Sequence, residues 1–225
     1  MAKHLQRDLD ILKRRILDLG TRVEESINDS LRAYIDDETD LIDQVIERDH
    51  EIDQDELEVE DECLKILALH QPMAADLRFV VTVLKVNNDL ERMGDLGVTI
   101  AKRSRLKERK RQDVVLVDFG KMREAVVKMV RDALDALVNV DSEKARAVCA
   151  NDQVVDDLHK ANYKILRKKM ESDPTNVNAG VNSISVSRAL ERIADLATNI
   201  AEDVVFLAEG DVIRHRGGIE TSDEE

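Results

Sequence analysis

The sequence predicts an all-α protein, and three observations carry that prediction. The 225 residues include no Trp, 2 Pro and 8 Gly, and only 2% of them are aromatic. Sheets favour aromatic and β-branched residues and need turns rich in Gly or Pro, which are scarce in this chain. Apolar residues also recur every three or four positions over long stretches, as on one face of a helix. We therefore expect long helices joined by short turns.

Three helices are predicted in the first half of the chain. The first runs from about residue 3 to 36 along an apolar stripe. The acidic segment DDETD then predicts a turn, with Thr39 or Asp40 as the cap of a second helix that ends near LHQP. Pro72 suits the first turn of a third helix, because its missing N–H has no partner to lose there.

Three further helices are predicted in the second half. The charged segment LKERKRQD predicts a linker, after which the helical pattern restarts at Phe119. A fifth helix is expected from about Ala145 to Met170, and Pro174 opens a sixth. Each of the two prolines therefore opens the third helix of its half.

The two halves resemble copies of one unit. The segment LERMGDL in the first half recurs as LERIADL in the second, and Asp49 with Asp53 is matched by Asp152 with Asp156. Self-similarity of this kind indicates a duplicated structural unit. We therefore predict two antiparallel three-helix bundles in tandem. Their bounds are residues 1–110 and 111–210, followed by a tail at 211–225 that frays.

Each copy places like charges side by side on its third helix. Glu91 and Asp95 are four residues apart, as are Glu191 and Asp195, and such like-charge pairs cost roughly 0.2–0.5 kcal/mol each. Both pairs face away from the apolar stripe of their helix. Because the second and third helices of a unit are adjacent, the aspartate pairs on the second and fifth helices are expected in the same grooves.

A bound cation would compensate for this repulsion. Carboxylate and amide oxygens without Cys or His favour Mg²⁺, Mn²⁺, Ca²⁺ or iron over a thiolate-type zinc site. The sequence therefore predicts one metal-binding groove in each half.

Two other interpretations of the acids stay open. One is a metal-dependent enzyme, either a di-iron oxidase or a phosphohydrolase. Glu47 and His50 form the ExxH motif that a di-iron site needs on two helices, but Ala150 and Gln153 stand at the matching positions. No GxSxG motif, Walker loop or dinucleotide turn is present. The other interpretation is a plain helical scaffold whose acids are solvated and neutralised by neighbouring arginines.

Charge and cysteine usage restrict the partners further. The net charge of −14 argues against direct nucleic-acid binding, because an acidic surface repels phosphate backbones. Cys63 and Cys149 lie in helical stretches without CxxC spacing, which favours packing residues over a zinc site or a disulfide. No run of about 18 apolar residues occurs, so we expect a soluble, cytoplasmic protein that does not insert into the membrane.

Two segments carry a resemblance to a known family. HQPMAADLRFVVTVLKVNNDLERMGDLGVTIA, with the later LERIADLATNIAEDV, resembles the PhoU family, the regulators of bacterial phosphate uptake. The resemblance covers about residues 5–210. It implies two similar three-helix bundles in tandem, with clusters of iron, zinc, manganese or magnesium bound by E/D-x-x-x-D motifs.

Carried onto this sequence, the resemblance implies two metal sites. The first consists of Asp49, Asp53, Glu91 and Asp95, and the second of Asp152, Asp156, Glu191, Asp195, Asn199 and Glu202. The first half departs from the pattern, because Thr99 and Lys102 stand where the second half has Asn199 and Glu202. A lysine ammonium repels a cation, so the first site is expected to be the weaker.

The resemblance also implies a regulator without enzymatic activity. The family communicates between the phosphate ABC transporter, through its ATPase subunit, and a sensor histidine kinase. It represses the phosphate-starvation regulon when phosphate is ample. A homodimer is also expected.

Overall fold

A computed structural model describes residues 2–106 and 117–210, which form six α-helices and one 3₁₀ turn. In the first half, α1 spans Ala2–Ile35, α2 spans Leu41–His70 and α3 spans Ala74–Arg105. In the second half, α4 spans Gly120–Asn139, α5 spans Ser142–Ser172 and α6 spans Val177–Glu209. The described residues contain no strand, which confirms the predicted all-α class. No helix among them combines the length and the apolar character that a membrane span requires.

The start of α3 differs from the sequence prediction. Pro72 precedes the helix instead of lying in its first turn. Gln71 adopts a left-handed conformation with φ of 46° and donates its N–H to the Leu67 carbonyl, which ends α2. Met73 is then extended, so the helix begins only at Ala74.

The starts of α2 and α6 agree with the prediction in position but not in every detail. Asp40 immediately precedes α2, yet its side chain makes no capping hydrogen bond. Its backbone is already helical, with φ of −65° and ψ of −22°, whereas capping side chains act from an extended residue. Pro174 opens a 3₁₀ turn, Pro174–Asn176, that leads into α6, and the Asp173 side chain accepts the Thr175 N–H there.

Most of the predicted linker and the whole predicted tail lie outside the described residues.

One hydrophobic core runs through both halves. The apolar stripe of α1 belongs to a large cluster of buried side chains to which all six helices contribute, and a second, small cluster lies within the first half. In the described part of the chain, the halves pack mainly through two helix pairs, α1 with α4 and α3 with α6, and a side-chain contact between Tyr34 and Ser183 also joins α1 to α6. Each of the remaining helices, α2 and α5, packs only within its own half. The fold therefore has four inner helices and two outer ones.

Of the four inner helices, α3 and α6 pack against each other in antiparallel orientation. Lys85 Nζ of α3 lies 3.2 Å from Asp203 Oδ1 of α6. Further along, Asp95 and Asp195 line one cleft between the same helices. Residue numbers therefore rise along α3 as they fall along α6, and equivalent positions of the two repeats meet near the middle.

Candidate functional site

The first acidic groove lies between α2 and α3 and contains all four acids of the predicted first site. Burial raises the pKa of Asp49, and the negative charges of Asp53 and Asp95 raise it further. Burial is also the main cause that raises the pKa of Glu91, followed by the charges of Asp95 and Asp53. The four carboxylates therefore lie near enough to influence one another electrostatically.

A glycine allows the two helices of this groove to approach closely. A Cβ added at Gly94 of α3 would lie 3.2 Å from Ile52 Cδ1 and 3.4 Å from Asp49 Oδ1 of α2. Contacts at this range are tighter than, or at the edge of, ordinary van der Waals packing. The missing side chain therefore helps to place Asp49 against α3.

Glu56, which was not among the residues predicted for the first site, extends the first groove by one helical turn. Asn87 Nδ2 donates to the Glu56 carbonyl at 2.9 Å and to its Oε1 at 3.3 Å. Burial, then the charges of Glu60 and Asp53, raises the pKa of Glu56. The signal was present in the sequence, because Asp49, Asp53 and Glu56 are spaced by four and three residues on one helix face.

The second acidic groove lies between α5 and α6, and its central part contains four of the six predicted residues, Asp152, Asp156, Glu191 and Asp195. The pKa of Asp195 is raised to about 6 by burial first, and then by the charges of Glu191, Asp152 and Asp156. Arg192 opposes this shift. Burial and the charge of Asp156 likewise raise the pKa of Asp152.

The other two residues predicted for the second site face different neighbours. Asn199 lines the cleft between α3 and α6. Glu202 acts on Cys149 of α5, whose pKa is raised to about 11 by burial and then by the Glu202 charge. Since Cys149 lies one helical turn before Asp152, Glu202 extends the second groove at its far end.

A histidine occupies the position in the second groove that matches Glu56 in the first. His159 follows Asp156 by three residues, as Glu56 follows Asp53. Its Nδ1 lies 2.9 Å from Ser187 Oγ of α6. His159 therefore joins α5 to α6 one helical turn beyond Asp156, a contact that spacing on α5 alone does not indicate.

The donor chemistry of both grooves suits a cation, although neither groove is a finished cage. Within residues 2–106 and 117–210, no three or more His, Cys, Asp or Glu side chains are grouped closely enough to hold a metal ion as they stand. Burial and, after it, the negative charges of neighbouring carboxylates nevertheless raise the pKa of Asp49, Glu91 and Asp195. A cation would relieve the repulsion between these charges once the side chains rotate toward it.

The cysteines are unsuited to thiolate chemistry. Cys63 is completely buried, and burial raises its pKa to about 12. Cys149 is half-buried against the core. Because the thiolate is the form that binds metal, neither thiol is primed as a ligand at neutral pH. Their predicted role as packing residues is confirmed.

A third polar feature is a cleft of about 520 Å³ between α3 and α6. Equivalent positions of the two repeats line it in pairs: Arg92 and Arg192, Asp95 and Asp195, Leu96 and Leu196, Thr99 and Asn199. Lys102 lines it without its counterpart Glu202. Arg92 forms an ion pair of 3.6 Å with Asp89, one turn earlier on its own helix.

Comparison with known proteins identifies relatives of the whole chain. The family model of the PhoU domain matches it twice, at residues 16–104 and 119–204. A relative from Pseudomonas aeruginosa is 36% identical over 96% of this chain and 90% of its own length. A relative from Clostridium acetobutylicum is 35% identical over 92% of this chain and 95% of its own. Both are named phosphate-specific transport system accessory protein PhoU homolog.

Solved structures show the same architecture. The crystal structure of PhoU from Pseudomonas aeruginosa superposes with a TM-score of 0.87 at 37% identity, covering 92% of this chain and 99% of that one. The phosphate transport system regulatory protein PhoU from Streptococcus pneumoniae gives 0.86 at 28% identity, covering 93% of this chain and 99% of its own.

Proposed function

This chain belongs to the PhoU family, and on that basis we propose that it is an accessory protein that regulates a phosphate transport system. It restrains phosphate uptake and represses the phosphate-starvation regulon when phosphate is ample. The observation that carries this proposal is the match of both repeats to the family model. The similar proteins are named as accessory proteins of a phosphate-specific transport system.

The proposed mode of action is that of a cytoplasmic, homodimeric adaptor without enzymatic activity. Its partners are the ATPase subunit of the phosphate ABC transporter and a sensor histidine kinase. The names of the relatives, which call them accessory proteins, support this role. Exposed apolar side chains around the turn between α2 and α3 are suited to protein contact, since Leu69 is 68% and Met73 80% exposed.

A reconstitution with purified partners tests the adaptor role. We expect the chain to form a complex with the ATPase subunit and with the cytoplasmic part of the kinase. In cells that lack the chain, a phosphatase reporter of the starvation regulon should be active even in high phosphate. No complex with either partner, together with a reporter that stays repressed, would contradict the proposal.

We further propose that each acidic groove binds metal ions, drawn from iron, zinc, manganese and magnesium. Asp49, Asp53, Glu91 and Asp95 hold the ions of the first groove. Those of the second are held by Asp152, Asp156, Glu191 and Asp195, with Asn199 and Glu202 at its margins. A bound ion neutralises the clustered carboxylates and so ties each outer helix to its inner neighbour, α2 to α3 and α5 to α6. It stabilises whichever conformation binds it more tightly.

Removal of two carboxylates from the second groove tests the metal proposal. We expect Glu191→Gln with Asp195→Asn to lose roughly half of the bound metal while the chain stays folded, because one of two grooves keeps its ligands. Elemental analysis of the purified protein measures the metal, and melting curves before and after chelation measure its contribution to stability.

A matched control separates the loss of ligands from the loss of charge. Asp61→Asn with Asp157→Asn removes two exposed acids from α2 and α5 and should keep the full metal load. If the Glu191 and Asp195 variant keeps its full load as well, the assignment of the second groove is wrong.

A further inference from the structure

The cleft between α3 and α6 gathers three cationic side chains in a strongly acidic protein. Three cations line it, Arg92, Arg192 and Lys102, against the two carboxylates of Asp95 and Asp195. The chain as a whole has a net charge of −14. Cationic side chains gathered in a concave site shared by both repeats point to an anionic ligand.

The antiparallel packing concentrates this charge at one end of the cleft. Since residue 95 of α3 faces residue 195 of α6, residues after 95 lie toward residues before 195. Lys102 and Thr99 of α3 therefore share an end of the cleft with Arg192 of α6.

The opposite end of the cleft is less cationic. It holds Arg92 and Asn199, and the ammonium of Lys102 has no counterpart there because the repeat places Glu202 at that position. Arg92 also has its own ion-pair partner in Asp89, at 3.6 Å. The departure from the repeat at residues 99 and 102, which weakens the first metal site, thus creates a cationic end of the cleft.

We propose that this end of the cleft binds a small tetrahedral oxyanion, namely inorganic phosphate, through Lys102, Arg192 and Thr99. A guanidinium donates two parallel hydrogen bonds to two phosphate oxygens, and an ammonium acts as a compact point charge beside them. The threonine hydroxyl supplies a third donor.

The two aspartates of the cleft determine which oxyanion is accepted. An ionised carboxylate only accepts hydrogen bonds, so it repels an anion that has no proton to donate. Hydrogen phosphate retains a proton and can donate a hydrogen bond to Asp95 or Asp195. Sulfate at neutral pH has no proton and cannot donate one. The same cations without the carboxylates would not distinguish the two ions.

A phosphate site in this cleft does not depend on the accessory role. The cleft would let the chain respond to phosphate itself, whether or not a transporter or a kinase binds it. It also differs from the metal proposal, since Lys102 and Arg192 hold the anion directly.

Direct binding measurements on the full chain test the proposal. Chelator-treated protein is titrated with inorganic phosphate and with sulfate by calorimetry, at constant ionic strength. We expect one saturable phosphate site per chain and at least tenfold weaker binding of sulfate. Arg192→Gln and Lys102→Gln should each weaken phosphate binding at least tenfold, and Thr99→Val several-fold.

The control is Arg167→Gln, which removes an exposed arginine of α5 that pairs with Glu171 at 3.4 Å. It should bind phosphate as the unaltered chain does, and melting curves establish that every variant is folded. Three results would overturn the proposal. They are the absence of saturable binding, equal binding of phosphate and sulfate, and binding that needs added Mn²⁺ and persists in Arg192→Gln, which would place the anion on the metal.

Discussion

Asp195 holds a proton to an unusually high pH for an aspartate. Burial and three neighbouring carboxylates raise its pKa from 3.8 to about 6 in the folded chain. Between these two values the folded chain binds a proton that the unfolded chain releases. The proton on Asp195 therefore makes its full contribution to the free energy of unfolding below pH 3.8. This contribution is lost as the pH rises through about 6.

Asp195→Asn should consequently stabilise the metal-free protein at neutral pH. The substitution removes a repelled charge, and after allowance for its solvent exposure we expect a gain of roughly 1 kcal/mol, or about 2–4 °C in melting temperature. The difference from the unaltered chain should vanish as the pH is lowered to about 4, where Asp195 is protonated. Melting curves with chelator between pH 4 and 7.5 measure both effects.

Asp157→Asn provides the comparison for this variant. Asp157 is an exposed residue on α5 that accepts a hydrogen bond of 2.9 Å from Gln153, and its loss should leave the melting temperature nearly unchanged. A gap between the Asp195 variant and the unaltered chain that stays constant over the whole pH range would show that repulsion is not its cause.

Individual site residues could be predicted where the signal lies on a single helix. Glu91 and Asp95 share a face by spacing alone, and the structure keeps them together. The role of Lys102 could not be predicted in the same way. Its sequence neighbours suggest only that it repels a cation, whereas its place in one cleft with Arg192 depends on how α6 packs against α3.

At the scale of helices, a bound could be predicted where it follows from a repeating apolar pattern, and could not where it depends on the backbone conformation of one residue. The buried stripe of α1 is a repeating feature, so its predicted and observed limits differ by one residue at each end. The start of α3 depends instead on Gln71, whose left-handed conformation ends α2 and moves Pro72 out of the helix. The spacing of apolar residues does not predict that backbone angle.

The grooves were predictable and the cleft was not, for a related reason. Consecutive helices joined by short turns are neighbours, so acids on α2 and α3 were expected to meet. The contact between α3 and α6 joins distant parts of the chain, and the apolar faces that form it look like any other buried face.

Lys102→Glu should strengthen metal binding in the first groove. The variant gives α3 the residue that α6 has in Glu202, and it removes a positive charge that acts on Asp49. Because a reversed charge beside the carboxylates favours a cation, we expect Mn²⁺ to bind several-fold more tightly there. Titration with Mn²⁺ followed by electron paramagnetic resonance measures the change.

A lysine elsewhere on the surface distinguishes this local effect from that of net charge. Lys164→Glu reverses the charge of an exposed residue on α5 and should leave the Mn²⁺ affinity of the first groove as it was. Equal tightening in both variants would mean that total charge, not the groove, governs binding.

At the scale of the whole molecule, the repeat in the sequence does not divide the hydrophobic core. The family model matches two separate segments, yet one large cluster of buried side chains includes residues of both, and only a small second cluster stays within the first half. Polar contacts also cross between the halves. Tyr34 Oη lies 3.0 Å from Ser183 Oγ, and Lys85 pairs with Asp203, whose side chain is only 4% exposed.

We therefore predict that the two halves unfold together. Asp203→Asn weakens a contact between α3 and α6 and leaves the Lys85 ammonium without its charged partner, at a cost of about 1–3 kcal/mol. If the core is one cooperative unit, this cost destabilises α2 and α5 equally, although neither helix crosses between the halves.

Asp132→Asn, which loses a pair with Lys128 inside α4, is the control and should have little effect. Calorimetry should show a single transition, and hydrogen exchange should show equal loss of protection in α2 and α5. Two separate transitions, with only α5 affected by Asp203→Asn, would mean that the repeats fold as independent units despite their shared core.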